Sequence, residues 1–442
     1  MKLKNSHSRL SAPIIIFTIA LVYLFVQDIP FQDRGTRIDL DEGGSGSIIR
    51  QIFFIAVAAY FFLKGIVSRK ISRHFFPWSI VALLLWWSIT VTWATSPEIS
   101  FRRLAFNAII FIWIYSATAV VGPKRSLQTL KNVSFALVFA SLISGLLIPN
   151  AIHQAGEMDS GLVGAWRGVF YHKNQAGQVA AIALILGVFS AFPGFSFKSI
   201  RLRKIFLPLL GTFGGFALLI LSNSKTSIGM LLPALLIGYV CTHIAMSRSR
   251  LLGYAALILT GTAAASAAIA IFFPQISSIL TTPESFTGRA GMWAILVTMI
   301  IDRPISGFGF GSVFQAGAES AISGYANWSY LTFAHGHNGY LDLIVATGFI
   351  GFALFLISMF LSPTRWTLRL QDNDSDLRGG MIGLITFIAL HSLLETTFMN
   401  PQQPLCVVLV MIAASSYQMA STSRHQPVAR LSRRQPVTRP SL

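Results

Sequence analysis

The segment Ala334-His335-Gly336-His337-Asn338-Gly339-Tyr340-Leu341-Asp342 sets two imidazoles directly ahead of an apolar run that reads as a helix. An unperturbed imidazole titrates near pH ~6.5, so a histidine placed where water ends and a helix begins can take a proton from a hydroxyl near neutral pH. Asn338 and Asp342 stand four apart on one face of that helix, where they can orient a ring. The same polar residues could equally be interface groups that cap the helix. His335 and His337 have the His-x-His spacing of a metal pair, but no third ligand follows at a suitable distance, so no metal is expected.

Two carboxylates share an unusual setting. Asp342 lies about 6 Å below the helix start at ~1.5 Å rise per residue, and Glu395 falls near the outer end of another apolar run, one turn after His391. A carboxylate there is expensive to keep ionised unless it is paired or solvated, which points to function as readily as to a hydrogen bond inside a bundle. Cations on the same side are few: Arg34, Arg37, Arg50, Arg102, Arg103, Arg167, Lys173, Lys225, Arg289 and Arg303. Arginine suits a bidentate grip on phosphate oxygens, which singles out Arg167 and Arg289 in the two substantial outer segments. Lys225 joins them, because it occupies the tight polar turn Ser222-Asn223-Ser224-Lys225-Thr226-Ser227. Anchoring to lipid headgroups is the plainer alternative for all of these cations.

Three other patterns fail on inspection. Asp39-Leu40-Asp41 has the spacing of a metal and nucleotide-sugar site but lies in an acidic outer loop. Asp372-Asn373-Asp374-Ser375-Asp376 begins like a calcium loop, yet Leu377 takes the glycine position and Gly383 the terminal glutamate position. Gly307-Phe308-Gly309-Phe310-Gly311 has no strand before it and reads as a turn, not a dinucleotide site.

The elements that position these residues follow from composition. Apolar residues make up 53% of the 442 residues and charged ones 11%, with mean hydropathy +0.63, which predicts an all-α, polytopic membrane helical bundle. Twelve spans are expected, near 11–27, 47–66, 75–94, 103–121, 132–149, 176–193, 205–222, 227–246, 251–273, 338–361, 380–398 and 404–420. The net charge of +18 lies in short segments between spans and not on a soluble face, so nucleic acid is not an expected partner. Cys241 and Cys406 both sit in apolar runs and read as packing residues.

With the N-terminus in the cytoplasm, most lysines and arginines fall on the inner side, so the positive-inside rule predicts both termini there. The chain then divides into an N-terminal bundle over 1–273, an outer loop over 274–337, C-terminal spans over 338–420 and a basic tail over 421–442. Ala290–Ile301 is too short to cross and predicts an interfacial or re-entrant helix, and Pro304 and the glycines after it break the chain. The tail is rich in Arg, Gln, Ser and Pro, a composition expected to be disordered and drawn to anionic lipid.

Taken in order, Thr287-Gly288-Arg289 with Trp293, then Pro304, Gly307, Gly309 and Gly311, then His337-Asn338-Gly339-Tyr340-Leu341-Asp342 and Gly348 resemble the outer-loop pattern of the O-antigen ligase and polymerase superfamily. Arg167-Gly168-Val169-Phe170-Tyr171-His172-Lys173-Asn174-Gln175-Ala176-Gly177 is similar to that family's Gly-x-Phe-x-x-x-Asn-x-x-Gly segment. Ser224-Lys225-Thr226-Ser227 stands where many relatives carry arginine. The doubled histidine and the Ser-Lys-Thr turn are most similar to the exopolysaccharide polymerases within the superfamily.

The resemblance implies transfer of a glycan from undecaprenyl pyrophosphate to an acceptor sugar hydroxyl on the outer face of the bacterial inner membrane. It implies no metal, nucleotide sugar or other cofactor, since fixed cations can meet the charge of the leaving pyrophosphate. Arg167, Arg289 and Lys225 are then expected on the pyrophosphate, and Lys173, Trp293 and Glu395 in substrate binding more generally. His337 is expected as the base, with Asn338 and Asp342 orienting it and His335 as its substitute. Tyr325, Trp328 and Tyr330 could stack on sugar rings or form an aromatic belt. The implied partners are the undecaprenyl-pyrophosphate-linked oligosaccharide, the lipid bilayer, and flippase and chain-length regulator proteins. Lysine at 225 keeps the charge but loses the planar fork.

Two other functions compete. A ligase would use the same donor with lipid A core as acceptor. A transporter or flippase predicts charged residues near the midplane and related halves of the chain, and the sequence carries neither.

Overall fold

The computed structural model describes residues 11–26, 30–31, 47–71, 75–155, 157, 160–191, 202–243, 289–314, 320–326 and 335–424. These residues are helical apart from turns and one isolated antiparallel bridge, Ile152 to Trp166. The helices are α1 (Ala12–Val26), α2 (Ile48–Val67), α3 (Trp78–Thr90), α4 (Pro97–Val121), α5 (Pro123–Leu147) and α6 (Lys173–Ala191). They continue with α7 (Leu202–Leu221), α8 (Lys225–His243), α9 (Arg289–Asp302), α10 (Gly339–Phe355), α11 (Ser375–His391) and α12 (Pro404–Arg424). Seven are long and apolar enough to cross a membrane, and α1, α3 and α7 are shorter apolar helices. The expected polytopic helical membrane protein is what the chain forms.

Hydropathy located the spans well because a helix in hydrocarbon must satisfy its own backbone and be apolar on every face. Each expected span has a helix except the ninth, 251–273, which lies outside the described residues. So do Arg34, Arg37, Asp39–Asp41, Thr287, Gly288, Trp328, Tyr330 and the tail beyond Arg424.

One boundary needs correction. The span expected over 380–398 is a helix over Ser375–His391, so Glu395 lies in the turn beyond the helix and not within it. Ser392 ends the helix by donating its hydroxyl to the Ile388 carbonyl at 2.7 Å, and an irregular turn continues through Asn400-Pro401.

The layers are set by burial. Most of α6 and α12 is buried, against about a third or less of α2 and α8, so α6 and α12 are central and the latter two are peripheral. Peripheral helices expose Ile52, Ile55, Leu63, Leu232 and Leu236, the faces that meet lipid. Helix α6 packs on α7, α8 on α11 and α2 on α4.

The two ends of the bundle are chemically distinct. At one, Lys124 Nζ pairs with Asp374 Oδ1 at 2.6 Å, Lys70 Nζ donates to the Val120 carbonyl at 2.6 Å, and Arg378 ties the carbonyls of Leu370, Cys241 and Thr242 together. The opposite end gathers the segments around 150–175, 289–314, 335–342 and 392–402.

The short helix α9 lies against α10 through Met292, Leu296 and Met299, which form a second small core with Phe308, Val345 and Ala346. Helix α10 is broken at Gly348 (φ 67°, ψ 179°) and then continues through a π-helical stretch, Leu356–Leu361, to Thr367. The glycine run after Pro304 fills this break. Phe308 N–H and Gly309 N–H donate to the Val345 and Ala346 carbonyls at 2.8 and 2.9 Å, and Phe349 N–H donates to Pro304 O at 2.8 Å. Trp86 Nε1 donates to Thr347 O at 2.8 Å. Backbone groups released by the break are thus met by protein, as irregular structure at membrane depth requires.

Candidate active site

The site begins with the turn that carries the two histidines. Asn338 is the N-cap of α10, its Oδ1 accepting from the N–H groups of Tyr340 and Leu341 at 3.0 and 3.1 Å, the role short polar side chains fill at a helix start. Asp342, buried one turn inside, reaches back to accept from the Gly336 N–H at 3.1 Å and from the Thr396 hydroxyl. Trp293 Nε1 on α9 donates to Gly336 O at 2.9 Å. A Cβ on Gly336 would collide with Asp342 Oδ1 and Leu296 Cδ1, so glycine is what lets the backbone approach the carboxylate. His337 is held in the left-handed region (φ 53°), a conformation a β-carbon disfavours. Its ring meets that of His335 edge-on, centroids 4.2 Å apart.

Glu395 is the hub. Arg289 donates through Nη2 to Glu395 Oε1 at 2.9 Å and through Nη1 to Leu394 O at 2.6 Å. Asn174 Nδ2, at the start of α6, donates to the same Oε1 at 3.2 Å. The other carboxylate oxygen lies 3.5 Å from His337 Nδ1. The Glu395 side chain is 9% exposed, that of Arg289 18% and that of His337 25%, so the buried acid faces partners that remain reachable. Burial would raise its carboxyl, but the His337 ring and the Arg289 charge outweigh it and hold the group at about 2. His335 moves down to about 4, through burial first and then the neighbouring His337.

The turn carrying Lys225 reaches this hub indirectly. Ser227 Oγ lies 3.3 Å from His391 Nε2 and accepts from Ser224 Oγ at 3.0 Å, while His391 O accepts from the Glu395 N–H at 3.1 Å. Lys225 itself is exposed at the first position of α8. A cation at a helix N-terminus is opposed by the helix dipole, so packing does not account for it.

Arg167 belongs to a second outer segment joined to the hub through Asn174. Its Nε donates to Asn150 O at 2.7 Å, and its own N–H and that of Gly168 both donate to Ala151 O at 2.9 Å. Beside it, Lys173 N–H donates to His153 Nε2 at 3.3 Å, which puts the ring proton on Nδ1, 2.6 Å from Glu157 Oε2. Burial raises the Glu157 carboxyl, and the His153 and Gln154 hydrogen bonds more than reverse it. The Tyr325 hydroxyl donates to Asp302 Oδ2 at 2.7 Å, and its ring meets Phe308 edge-on.

The structure therefore gathers His335, His337, Asp342, Trp293, Arg289 and Glu395 into one cluster. Arg167, Lys173 and Lys225 stand on flanking segments, and Asn338 caps its helix. Reasoning from sequence missed Asn174, Thr396 and Ser227 as members. Asn174 carried a signal, since it is the asparagine of the Gly-x-Phe-x-x-x-Asn-x-x-Gly segment. Thr396 carried none beyond adjacency to Glu395.

Fold and site together define a multi-pass helical membrane protein with a partly enclosed acid, imidazole and guanidinium cluster at one end of its bundle. Residues 179–356 match the family model described as O-antigen ligase, a stretch that includes Lys225, Arg289, His337 and Asp342. The chain is also 22% identical over 375 residues to the exopolysaccharide production protein ExoQ of Rhizobium meliloti (strain 1021), covering 76% of this chain and 84% of that protein. Both similarities agree with the resemblance to the O-antigen ligase and polymerase superfamily that the motifs carry.

Proposed function

We propose that the protein polymerises exopolysaccharide-like repeats by transferring a glycan from an undecaprenyl-pyrophosphate-linked donor to an acceptor sugar hydroxyl. The reaction takes place on the periplasmic face of the inner membrane, with both termini of the chain in the cytoplasm. His337 takes the proton from the acceptor hydroxyl. The oxygen attacks the anomeric carbon, and the bond to the pyrophosphate breaks with its electron pair. Arg289, Arg167, Lys225 and Lys173 meet the charge that develops on the departing phosphates, so neither a metal ion nor a nucleotide sugar enters the scheme.

The reading rests most on Glu395, which faces a histidine with one oxygen and an arginine with the other. His337 suits the task of base by its geometry, since its ring faces Glu395 Oε2 through Nδ1 and its side chain stays 25% exposed. Glu395 then acts through its neighbours. Contact with Nδ1 favours the tautomer in which Nε2 is basic, as an acid behind a catalytic imidazole does. The guanidinium of Arg289 has five N–H donors, and its grip on Leu394 O and Glu395 fixes its plane for a phosphate. Asp342 and Asn338 act as positioning residues for the histidine turn.

The test is His337→Ala in cells, with extracellular and lipid-linked glycans resolved on gels. Long polymer should vanish and lipid-linked single repeats should remain, with the protein at its normal level in the membrane. A general base contributes about 10²–10⁴ in rate, so a variant that makes polymer normally overturns the assignment. Loss of glycan from lipopolysaccharide alone would show a ligase instead.

A further inference from the structure

The turn between α7 and α8 is seated more deeply than a connecting loop requires. Its Ser222, Ser224 and Ser227, and His391 at the end of α11, are all 1% exposed or less. Three of these side chains form a line: Ser224 Oγ donates to Ser227 Oγ at 3.0 Å, and Ser227 Oγ lies 3.3 Å from His391 Nε2. Since Ser227 accepts from Ser224, its own proton is available to the ring nitrogen. Gly177 on α6 makes room for the turn, because a Cβ there would collide with the Ser224 side chain.

This line joins the segments that carry the outer cations. The His391 carbonyl accepts from the Leu394 and Glu395 N–H groups at 3.2 and 3.1 Å, and those residues hold Arg289 through Leu394 O and Glu395 Oε1. At its other end the serine turn carries Lys225, and Trp166 N–H, next to Arg167, donates to Leu221 O at 3.0 Å where the turn begins. Stability does not account for the arrangement. His391 Nδ1 is buried with no hydrogen-bond partner among the described residues, a cost that an apolar side chain would not carry. The ring also packs on Phe387, centroids 5.5 Å apart, which phenylalanine would do as well. What the polar line alone provides is a fixed relation between the Lys225 turn and the turn that grips Arg289.

We infer that Ser227 and His391 are positioning residues that hold Lys225 in register with Arg289, so that the two cations close on one pyrophosphate. Neither touches the substrate, since both are buried and act through the turns they join. The inference rests on the phosphate roles proposed above for Lys225 and Arg289. The coupling between the two turns rests on the buried line itself.

The experiment is a double-mutant cycle of Ser227→Ala with Lys225→Gln, using the full chain in lipid nanodiscs titrated by calorimetry with inorganic pyrophosphate. Lys225→Gln should weaken binding about tenfold, the loss of one charge-assisted contact. Ser227→Ala should weaken it at least about threefold while Lys225 is present and have no effect once Lys225 is replaced. His391→Phe keeps the ring against Phe387 and removes both nitrogens, so it should match Ser227→Ala. His391→Gln, whose terminal amide can present its oxygen to Ser227, should retain most of the binding. A merely structural role would weaken binding by the same factor in both backgrounds and lower the unfolding midpoint with it. Additive effects in the cycle, indifference to both Ser227→Ala and His391→Phe, or equal losses in His391→Gln and His391→Phe overturn the inference. If Lys225→Gln weakens binding while the cycle is additive, the phosphate role of Lys225 stands and only the coupling falls. If pyrophosphate does not bind, or Lys225→Gln binds it as the wild type does, that phosphate role falls and the inference with it.

Discussion

At the level of single residues, Glu395 decides how the site behaves with pH. Its carboxyl has an ordinary value of 4.5 and is held at about 2 in the folded protein. The unfolded chain therefore takes up the proton first as pH falls. The stabilisation, on the order of 3 kcal/mol by linkage, is fully present above about pH 4.5 and is lost as pH falls through about 2. Glu395→Gln removes this dependence and leaves Arg289 and His337 without their acid. Unfolding midpoints of detergent-solubilised protein should fall in the wild type between pH 4.5 and 3 and stay flatter in the variant, whose transfer activity should drop at least about tenfold at neutral pH. Parallel pH curves would show that the carboxyl is not held down by these partners. The types of these residues were legible in the sequence, because an acid, a histidine and an arginine near a membrane surface are costly unless they pair. Their pairing was not, since Arg289 and Glu395 are separated by 106 positions and only the fold brings them together.

Among the elements, the broken helix α10 explains why glycines cluster in this part of the chain. Gly307, Gly309 and Gly311 all have positive φ, and Gly348 makes the gap into which the Ile305–Ser306 backbone fits. A Cβ on Gly348 would overlap the Ile305 carbonyl, a backbone group that cannot swing aside. Gly348→Ala should therefore undock the loop and destabilise the protein by about 1–3 kcal/mol, seen as a lower unfolding midpoint, with activity falling because Trp293 and the histidine turn depend on the same packing. An unchanged midpoint would mean that the break in α10 is not required. The sequence showed that Pro304 and these glycines interrupt a helical region, and it showed α9 as too short to cross. It could not show that the interruption docks against the second break, at Gly348. That pairing is made by backbone groups, and backbone pairing leaves no trace in side-chain pattern.

For the molecule as a whole, the two ends of the bundle set up a test of everything above. The spans that fall on described residues were legible because hydropathy reports directly on the lipid environment, and there only limits such as the early end of α11 were misread, where a polar turn follows the helix inside an apolar stretch. The end that ties Lys124 to Asp374 and Lys70 to Val120 carries the basic loops that the positive-inside rule assigns to the cytoplasm. Under the proposed orientation the end that holds Arg289, Glu395 and His337 faces outward, on the side of the proposed lipid-linked donor. Lys225 is exposed at the second end, the Lys124 side chain is 62% exposed at the first, and the native Cys241 and Cys406 are buried. Single substitutions Lys225→Cys and Lys124→Cys, treated with a membrane-impermeant maleimide in right-side-out vesicles, should thus label at 225 at once and at 124 only after permeabilisation. The reverse pattern would place the imidazole and guanidinium groups in the cytoplasm, away from any periplasmic donor, and the proposed chemistry would have no substrate to act on.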